Sequence, residues 1–234
     1  MNKTLVNKDY LKKIRLLEKY NKHYYDKDKP IVLDQKFDLL KNEIITLENK
    51  YSFLRNEKSP SKSVGFQPSK NFQKIKHKVP MLSLANAFNE EDLNNFEKKI
   101  INFLSLKNTS TIEYSAEPKI DGISASLIYI KGKFLKGLSR GDGSEGEDIT
   151  QNLKTIKDIP TLIIEKNFPE EIDIRGEVFI ENNDFKNICE KFANPRNAAS
   201  GSLRQKNSAA TSKIPLKFIA YTHGYVKNMQ IDNQ

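Results

Sequence analysis

Lys119 is the first residue whose setting suggests chemistry. It stands in the run Glu117, Pro118, Lys119, Ile120, Asp121, Gly122, at the expected end of a strand and before a turn set by Asp-Gly. A free lysine amine has a pKa of roughly 10.4 and is a poor nucleophile at pH 7. Partial burial or nearby cations would free its lone pair for attack on an electrophile. A short Lys-x-Asp-Gly string is also compatible with an exposed lysine in a hairpin turn, so the string by itself leaves both readings open.

Three further runs add possible partners. The first, from Arg140 to Asp148, contains Gly141, Gly143 and Gly146 in a G-x-G-x-x-G pattern. A dinucleotide fold does not follow. Asp142 and Glu145 would face the pyrophosphate, and the preceding strand belongs to a hairpin rather than to a βαβ unit. The glycines are expected to form a tight turn that lets Arg140 approach an anion. In the second run, Asp173 to Phe179, alternation puts Arg175 and Glu177 on one strand face, where a carboxylate can accept hydrogen bonds from ribose hydroxyls. A cross-strand ion pair would use the same residues. The third run, from Phe192 to Gln205, holds Arg196 and Arg204 among small and polar residues, suited to close backbone approach and to phosphate contact. A capped surface helix is the plainer alternative.

These runs need elements to position them. Residues 8–28 read as an amphipathic helix with Tyr10, Ile14, Leu17, Tyr20 and Tyr24 on one face, ended by Pro30. Asp34 is a candidate N-cap for a second helix striped with Phe37, Leu40, Ile44, Leu47 and Tyr51. Residues 58–73, rich in Ser, Pro, Gly and Lys, read as a linker. A helix over about 90–105 should turn Leu93, Phe96, Ile100 and Phe103 inward. Strands are expected at 111–116, 124–130, 133–138, 172–180 and 216–221, with a hairpin turn at Lys131 and Gly132 and a helix near 184–192. The hairpins argue for antiparallel pairing, hence an α+β fold. The expected domains are a helical one with its linker over 1–69 and a mixed one over 70–234.

Composition narrows the function classes. The 234 residues are 37% hydrophobic and 29% charged, which fits a globular chain. Lysine and arginine number 39 against 30 acids, a formal charge of +9, which favours a polyanionic partner such as nucleic acid. A lysine-rich solvated surface would give the same excess. Cys189 is the one cysteine, so neither a disulfide nor a four-cysteine zinc site can form within these residues. It is expected half-buried in a helix. His23, His77 and His223 are far apart and read as ordinary polar residues. Neither a signal peptide nor an apolar run of membrane-spanning length is present, which fits a reducing cytoplasm.

Together the ordered runs, with Val79 to Asn86, resemble the N-terminal region of the bacterial NAD⁺-dependent DNA ligases. The likeness extends from the Tyr24–Tyr25 neighbourhood to about Tyr221. It implies a small helical domain that grips the nicotinamide mononucleotide half of NAD⁺, followed by a nucleotidyltransferase (adenylation) domain of mostly antiparallel sheets with flanking helices. The matching residues of the first are Tyr24, Tyr25, Asp34, Gln35, Lys36, Phe37 and Asp38. Aromatic faces and carboxylates suit the cationic nicotinamide ring, and Asp34 and Asp38 share a helical face. By resemblance Lys119 takes up AMP, while Ser83, Leu84, Glu117, Asp121, Gly122, Arg140 and Glu177 hold NAD⁺ or AMP. Mg²⁺ or Mn²⁺ assists, and Arg196 and Arg204 contact nicked duplex DNA. A monomer is expected, and the zinc of full-length family members has no ligands in this sequence.

Phe37 stands where the family usually has tyrosine. It keeps a stacking face without the hydroxyl, which predicts weaker NAD⁺ binding and a gain in affinity for Phe37→Tyr. The family's later adenylation motifs, oligonucleotide-binding barrel, zinc finger, helix-hairpin-helix repeats and BRCT module are not in the sequence. The expectation is therefore a fragment that does not seal nicks alone. An ATP-dependent nucleotidyltransferase and a non-catalytic DNA- or NAD-binding remnant are the alternatives.

Overall fold

The computed structural model describes residues 3–21, 23, 31–32, 34–54, 59, 72–84, 86–107 and 111–229, with only the backbone of Asp34 and Gln35. Tyr24, Tyr25, Pro30 and most of the 58–73 linker lie outside the described residues. Two compact units emerge, one from residues 1–81 with 121–234 and one from 82–120.

The first unit begins with α1 (Lys3–Asn21) and α2 (Asp34–Lys50). Their apolar stripes recur every three or four residues and so meet in one core of Val6, Tyr10, Leu17, Leu40, Ile44 and Leu54. Ile14, Tyr20, Phe37, Leu47 and Tyr51 close its edges. One buried polar bond joins the helices: the Tyr10 hydroxyl donates to Glu48 Oε1 at 2.8 Å.

Beyond the linker, β1 (Lys74–Lys76) will pair with a later short strand. The main sheet is built from β2 (Ile123–Ile130), β3 (Lys133–Ser139), β5 (Glu171–Phe179) and β6 (Lys217–Lys227), in the order β3-β2-β5-β6. Every pairing is antiparallel, as the hairpin signals required. Lys131 (φ 49°) and Gly132 (φ 75°) form the tight turn between β2 and β3. Between these strands, β4 (Glu145–Glu147) pairs with β1. The short helices are α4 (Thr150–Leu153), α5 (Asn182–Phe185), α6 (Pro195–Leu203) and α7 (Ser208–Thr211). One face of the sheet presents Ala125, Leu127, Tyr129, Ile172 and Val178 to Leu153, Ala198, Ala199 and Leu203, making the larger core. Burial pushes the Tyr129 hydroxyl up to about 12, and that hydroxyl donates to the Pro160 carbonyl at 2.7 Å.

The second unit holds α3 (Glu90–Phe103), capped by Asn89, whose side chain accepts from Asp92 N at 2.8 Å. Its acidic first turn complements the helix dipole. The expected inward face is not buried. Leu93 is 58%, Phe96 49% and Phe103 88% exposed. A unit this small cannot enclose a core, and within it Phe96 meets only the Tyr114 ring, at 6.3 Å, among the described ring contacts. The strand expected at 111–116 is absent: residues 111–120 have no regular structure, because a strand requires a ladder partner and this run has none.

Other expectations are corrected in detail. α1 is described over Lys3–Asn21, and residues 24–28 of the expected first helix lie outside the described residues. The helix expected at 184–192 is split into α5 and a 3₁₀ turn at Cys189–Lys191, leaving Cys189 exposed rather than half-buried. β6 runs past Tyr221 to Lys227, because β5 pairs with it as far as Glu171 opposite Lys227.

Candidate nucleotide-binding face and nucleophile turn

Strand alternation sends the polar residues of β2, β5 and β6 to the face opposite the core. Ser124 lies opposite Glu177, and Ser126 opposite Arg175, across the β2–β5 ladder. The Ser124 hydroxyl donates to Glu177 Oε2 at 2.9 Å. Tyr221 joins this pair through Ser124. Burial chiefly raises its phenol pKa, the Ser124 bond lowers it, and the charges of Glu177, Arg140 and Arg175 also act on it. The result is a patch with a carboxylate, two hydroxyls and a nearby guanidinium.

Deeper on the same face, Arg175 and Asp173 form a pair 8% and 9% exposed. Arg175 Nε and Nη2 donate to Asp173 Oδ2 at 3.1 and 2.9 Å. Its Nη1 donates to the Pro80 carbonyl at 3.0 Å, and Nη2 also reaches the Val79 carbonyl. Ser126 donates to the other carboxylate oxygen of Asp173. Arg175 is therefore neither a free anion ligand nor half of a cross-strand pair. It ties β5 to the segment that leads directly into Ser83 and Leu84.

Arg140 sits at the end of β3, where a turn with Gly141 (φ 58°) and Gly143 (φ 93°) reverses the chain into β4. Gly143 N donates to the Arg140 carbonyl at 3.0 Å. The Asp142 carboxylate accepts from Ser144 N and Glu145 N, both at 2.9 Å, so it stabilises its own turn. His77 and Met81 brace the turn: His77 N donates to Ser144 O at 2.9 Å and Met81 N to Gly143 O at 2.8 Å. The His77 ring is buried, and its Nε2 lies 3.2 Å from the Arg140 carbonyl. A carbonyl only accepts, so Nε2 carries the hydrogen. Burial above all holds the His77 pKa down. His77 is thus a buried structural residue.

Along the chain, Lys119 belongs to the second unit and Asp121 to the first. Lys119 and Glu117 are exposed, as are Ser83 and Leu84. Asp121, two residues past Lys119, is paired with Arg196 Nη1 at 2.8 Å. Arg196 comes from the first turn of α6, whose N-cap Asn194 accepts from Asn197 N at 2.7 Å. Gly122 then crosses β5 so closely that a Cβ would lie 2.2 Å from the Val178 carbonyl oxygen. That contact requires glycine. At the other end of α6, Arg204 Nε lies 3.9 Å from Glu147, whose side chain is 4% exposed.

On α2, Lys36 is exposed, and Phe37 and Asp38 are half-buried. Phe37 packs partly on the helical core. One turn on, Lys41 has its pKa lowered, first by burial and further by the charge of Arg140, with Asp38 opposing. The structure thus brings together Arg140, Glu177, Asp121, Gly122 and Arg196 within the first unit. Sequence reasoning missed Ser124, Tyr221, His77 and Lys41. Ser124 was legible by alternation from Glu177's pairing, whereas His77 and Lys41 carried no local signal. Among the described residues, no three His, Cys, Asp or Glu side chains gather as a metal site, and no helix is long and apolar enough to cross a membrane.

Two helices, a lysine-bearing segment and an antiparallel sheet with one polar face follow one another along the chain, the order expected of a nucleotidyltransferase behind a helical module. Comparison with known proteins is specific. Residues 69–234 match the family described as NAD-dependent DNA ligase adenylation domain, and residues 6–65 match DNA ligase-like, N-terminal NAD+-binding domain. The DNA ligase of Pelagibacter ubique is 78% identical over 234 residues, covering 100% of this chain and 35% of that protein. Those of Parvibaculum lavamentivorans and Rickettsia massiliae are 48% and 46% identical over 226 and 223 residues, covering 93% and 92% of this chain and 32% of each relative. The chain belongs to the NAD-dependent DNA ligase family and spans about a third of the length of these relatives.

Proposed function

We propose that this chain carries out the first step of NAD⁺-dependent DNA sealing, transfer of AMP to Lys119. The unprotonated Lys119 amine attacks the α-phosphorus of NAD⁺. A nitrogen–phosphorus bond forms, the bridging oxygen–phosphorus bond breaks, and nicotinamide mononucleotide leaves with that oxygen. The amine's proton is lost to solvent. The AMP then passes to the 5′-phosphate of a nick, and the 3′-hydroxyl expels it to close the phosphodiester.

The observation that carries this reading is the path of the chain after Lys119. Asp121 is held by Arg196, Gly122 is locked against β5, and β2 then places Ser124 on Glu177. Glu177, Ser124 and Tyr221 offer acceptors and donors for ribose hydroxyls, and Arg140 offers charge for phosphate. Tyr24, Tyr25, Asp34, Gln35, Lys36, Phe37 and Asp38 are assigned to the nicotinamide mononucleotide half, with Ser83, Leu84 and Glu117 completing the AMP site. Arg196 and Arg204 are assigned to the DNA backbone. The domain division at 69/70 follows this separation of tasks.

A divalent cation, Mg²⁺ or Mn²⁺, supplies charge neutralisation at the phosphates. The described residues offer no protein cage for it. Such ions are commonly held by phosphate oxygens and water, so no role falls to a particular side chain. The chain is assigned to the bacterial cytoplasm as a monomer, acting on nicked duplex DNA. Chromatography of the small products distinguishes the cosubstrates: nicotinamide mononucleotide from NAD⁺ supports this reading, and pyrophosphate from ATP would replace it with an ATP-dependent transferase.

A further inference from the structure

Several lysines of the first unit are neutralised in place. Lys13 pairs with Glu43, Lys78 with Glu171, Lys217 with Glu181 and Lys227 with Glu170. Three others behave differently. Lys136 of β3, Lys154 just past α4 and Lys206 beyond α6 line one open cavity of about 420 Å³. Among the described residues, none of the three has a carboxylate within ion-pair distance.

Asp148 also lines the cavity, with its Oδ1 accepting from Thr150 N at 3.1 Å and from the Thr150 hydroxyl, so the lining sets three cations against one carboxylate and keeps a positive excess. Cations from three separate elements repel one another where they converge on one space, and an outside anion relieves that repulsion. Their spread over three elements suits a run of phosphates better than one. Gln205 adds an uncharged amide, and Phe72 an apolar surface for sugar. The cavity also begins where a DNA contact already falls, since Arg204, Gln205 and Lys206 are consecutive.

We propose that this cleft binds the sugar–phosphate backbone of the duplex flanking the nick, without regard to sequence. It extends the contact that starts at Arg204 and rests on the DNA-sealing reading above. Each phosphate neutralised by a lysine releases condensed counterions, so the cleft makes a measurable share of the salt dependence of binding.

The test is fluorescence anisotropy of the full chain with a labelled nicked duplex, from about 50 to about 200 mM salt. Four proteins are compared: the wild type, Lys136→Gln/Lys154→Gln/Lys206→Gln, Arg204→Ala, and a charge-matched control, Lys12→Gln/Lys19→Gln/Lys166→Gln. The cleft variant should flatten the slope of log affinity against log salt by about 0.9 per lost contact, up to about 2.7. It should keep wild-type AMP uptake from NAD⁺, and the control should change the slope much less. Equal slopes for the cleft and control variants would overturn the cleft. So would a loss confined to Arg204→Ala, which would leave the DNA reading intact. Absence of salt-dependent binding by the wild type would overturn the DNA reading of this chain and the cleft with it.

Discussion

Replacing Arg175 with methionine removes one partner of a buried ion pair whose side chains are 8% and 9% exposed. Asp173 would keep Ser126 but lose both guanidinium bonds, and the Val79 and Pro80 carbonyls would lose their donor. Breaking a buried pair from one side costs about 3–5 kcal/mol, because the remaining charge stays buried. In a chain of this size each kcal/mol shifts Tm by about 2–4 °C, so a fall of about 6–20 °C is expected. Calorimetry or urea unfolding reads it directly. Adding Asp173→Asn should recover part of the loss, since the orphaned charge is then gone. The 77–81 segment leads into Ser83 and Leu84, so KM for NAD⁺ should also rise in whatever Arg175→Met protein remains folded. A Tm within about 2 °C of wild type, less than one kcal/mol of change, would refute the clamp.

Further outcomes follow from the same contacts. Gly122→Ala should cost about 1–3 kcal/mol in urea unfolding and abolish AMP uptake, since its Cβ would meet the Val178 carbonyl oxygen at 2.2 Å; wild-type uptake would contradict the close crossing. Arg196→Ala should change stability by no more than about 1 kcal/mol, because Asp121 is 70% exposed. It should nonetheless slow AMP transfer, with partial rescue by Arg196→Lys, and an unchanged transfer rate would free Arg196 from the nucleophile turn. His77 has a folded pKa held below its ordinary 6.5 by burial, so the unfolded chain takes up the proton first. Its contribution to stability is full above about pH 6.5 and is lost as pH falls through the folded pKa. Unfolding from pH 7.5 down to pH 5 should therefore be flatter for His77→Gln than for wild type, and parallel profiles would count against the neutral brace.

Period and turn chemistry made much of the fold legible. The stripes Tyr10–Ile14–Leu17–Tyr20 and Phe37–Leu40–Ile44–Leu47 gave two helices that meet as expected. Lys131 and Gly132 gave the hairpin, and its antiparallel sense extended correctly to the whole sheet. Two failures share one cause. Amphipathic patterning at α3 and β-propensity at 111–116 report what a segment could bury or pair, and among the described residues of 82–120 there is neither a core nor a ladder. The helix expected near 184–192 instead forms the short α5 and a separate 3₁₀ turn. At the candidate site, Glu177, Arg140 and the Asp121–Gly122 turn stand in contiguous runs that can be picked out of the sequence. His77 and the grip of Arg175 on Val79 and Pro80 arise from contacts spanning 63 to 96 residues, which no local pattern encodes.

The central claim is that Lys119 accepts AMP from NAD⁺. Intact-mass measurement after incubation with NAD⁺ and Mg²⁺ tests it most directly, with ATP in place of NAD⁺ and with Lys119→Ala as comparisons. The account predicts the added mass of one AMP with NAD⁺ only, absent in the variant. An adduct that persists in Lys119→Ala, or no adduct in the wild-type chain under any condition, would contradict it.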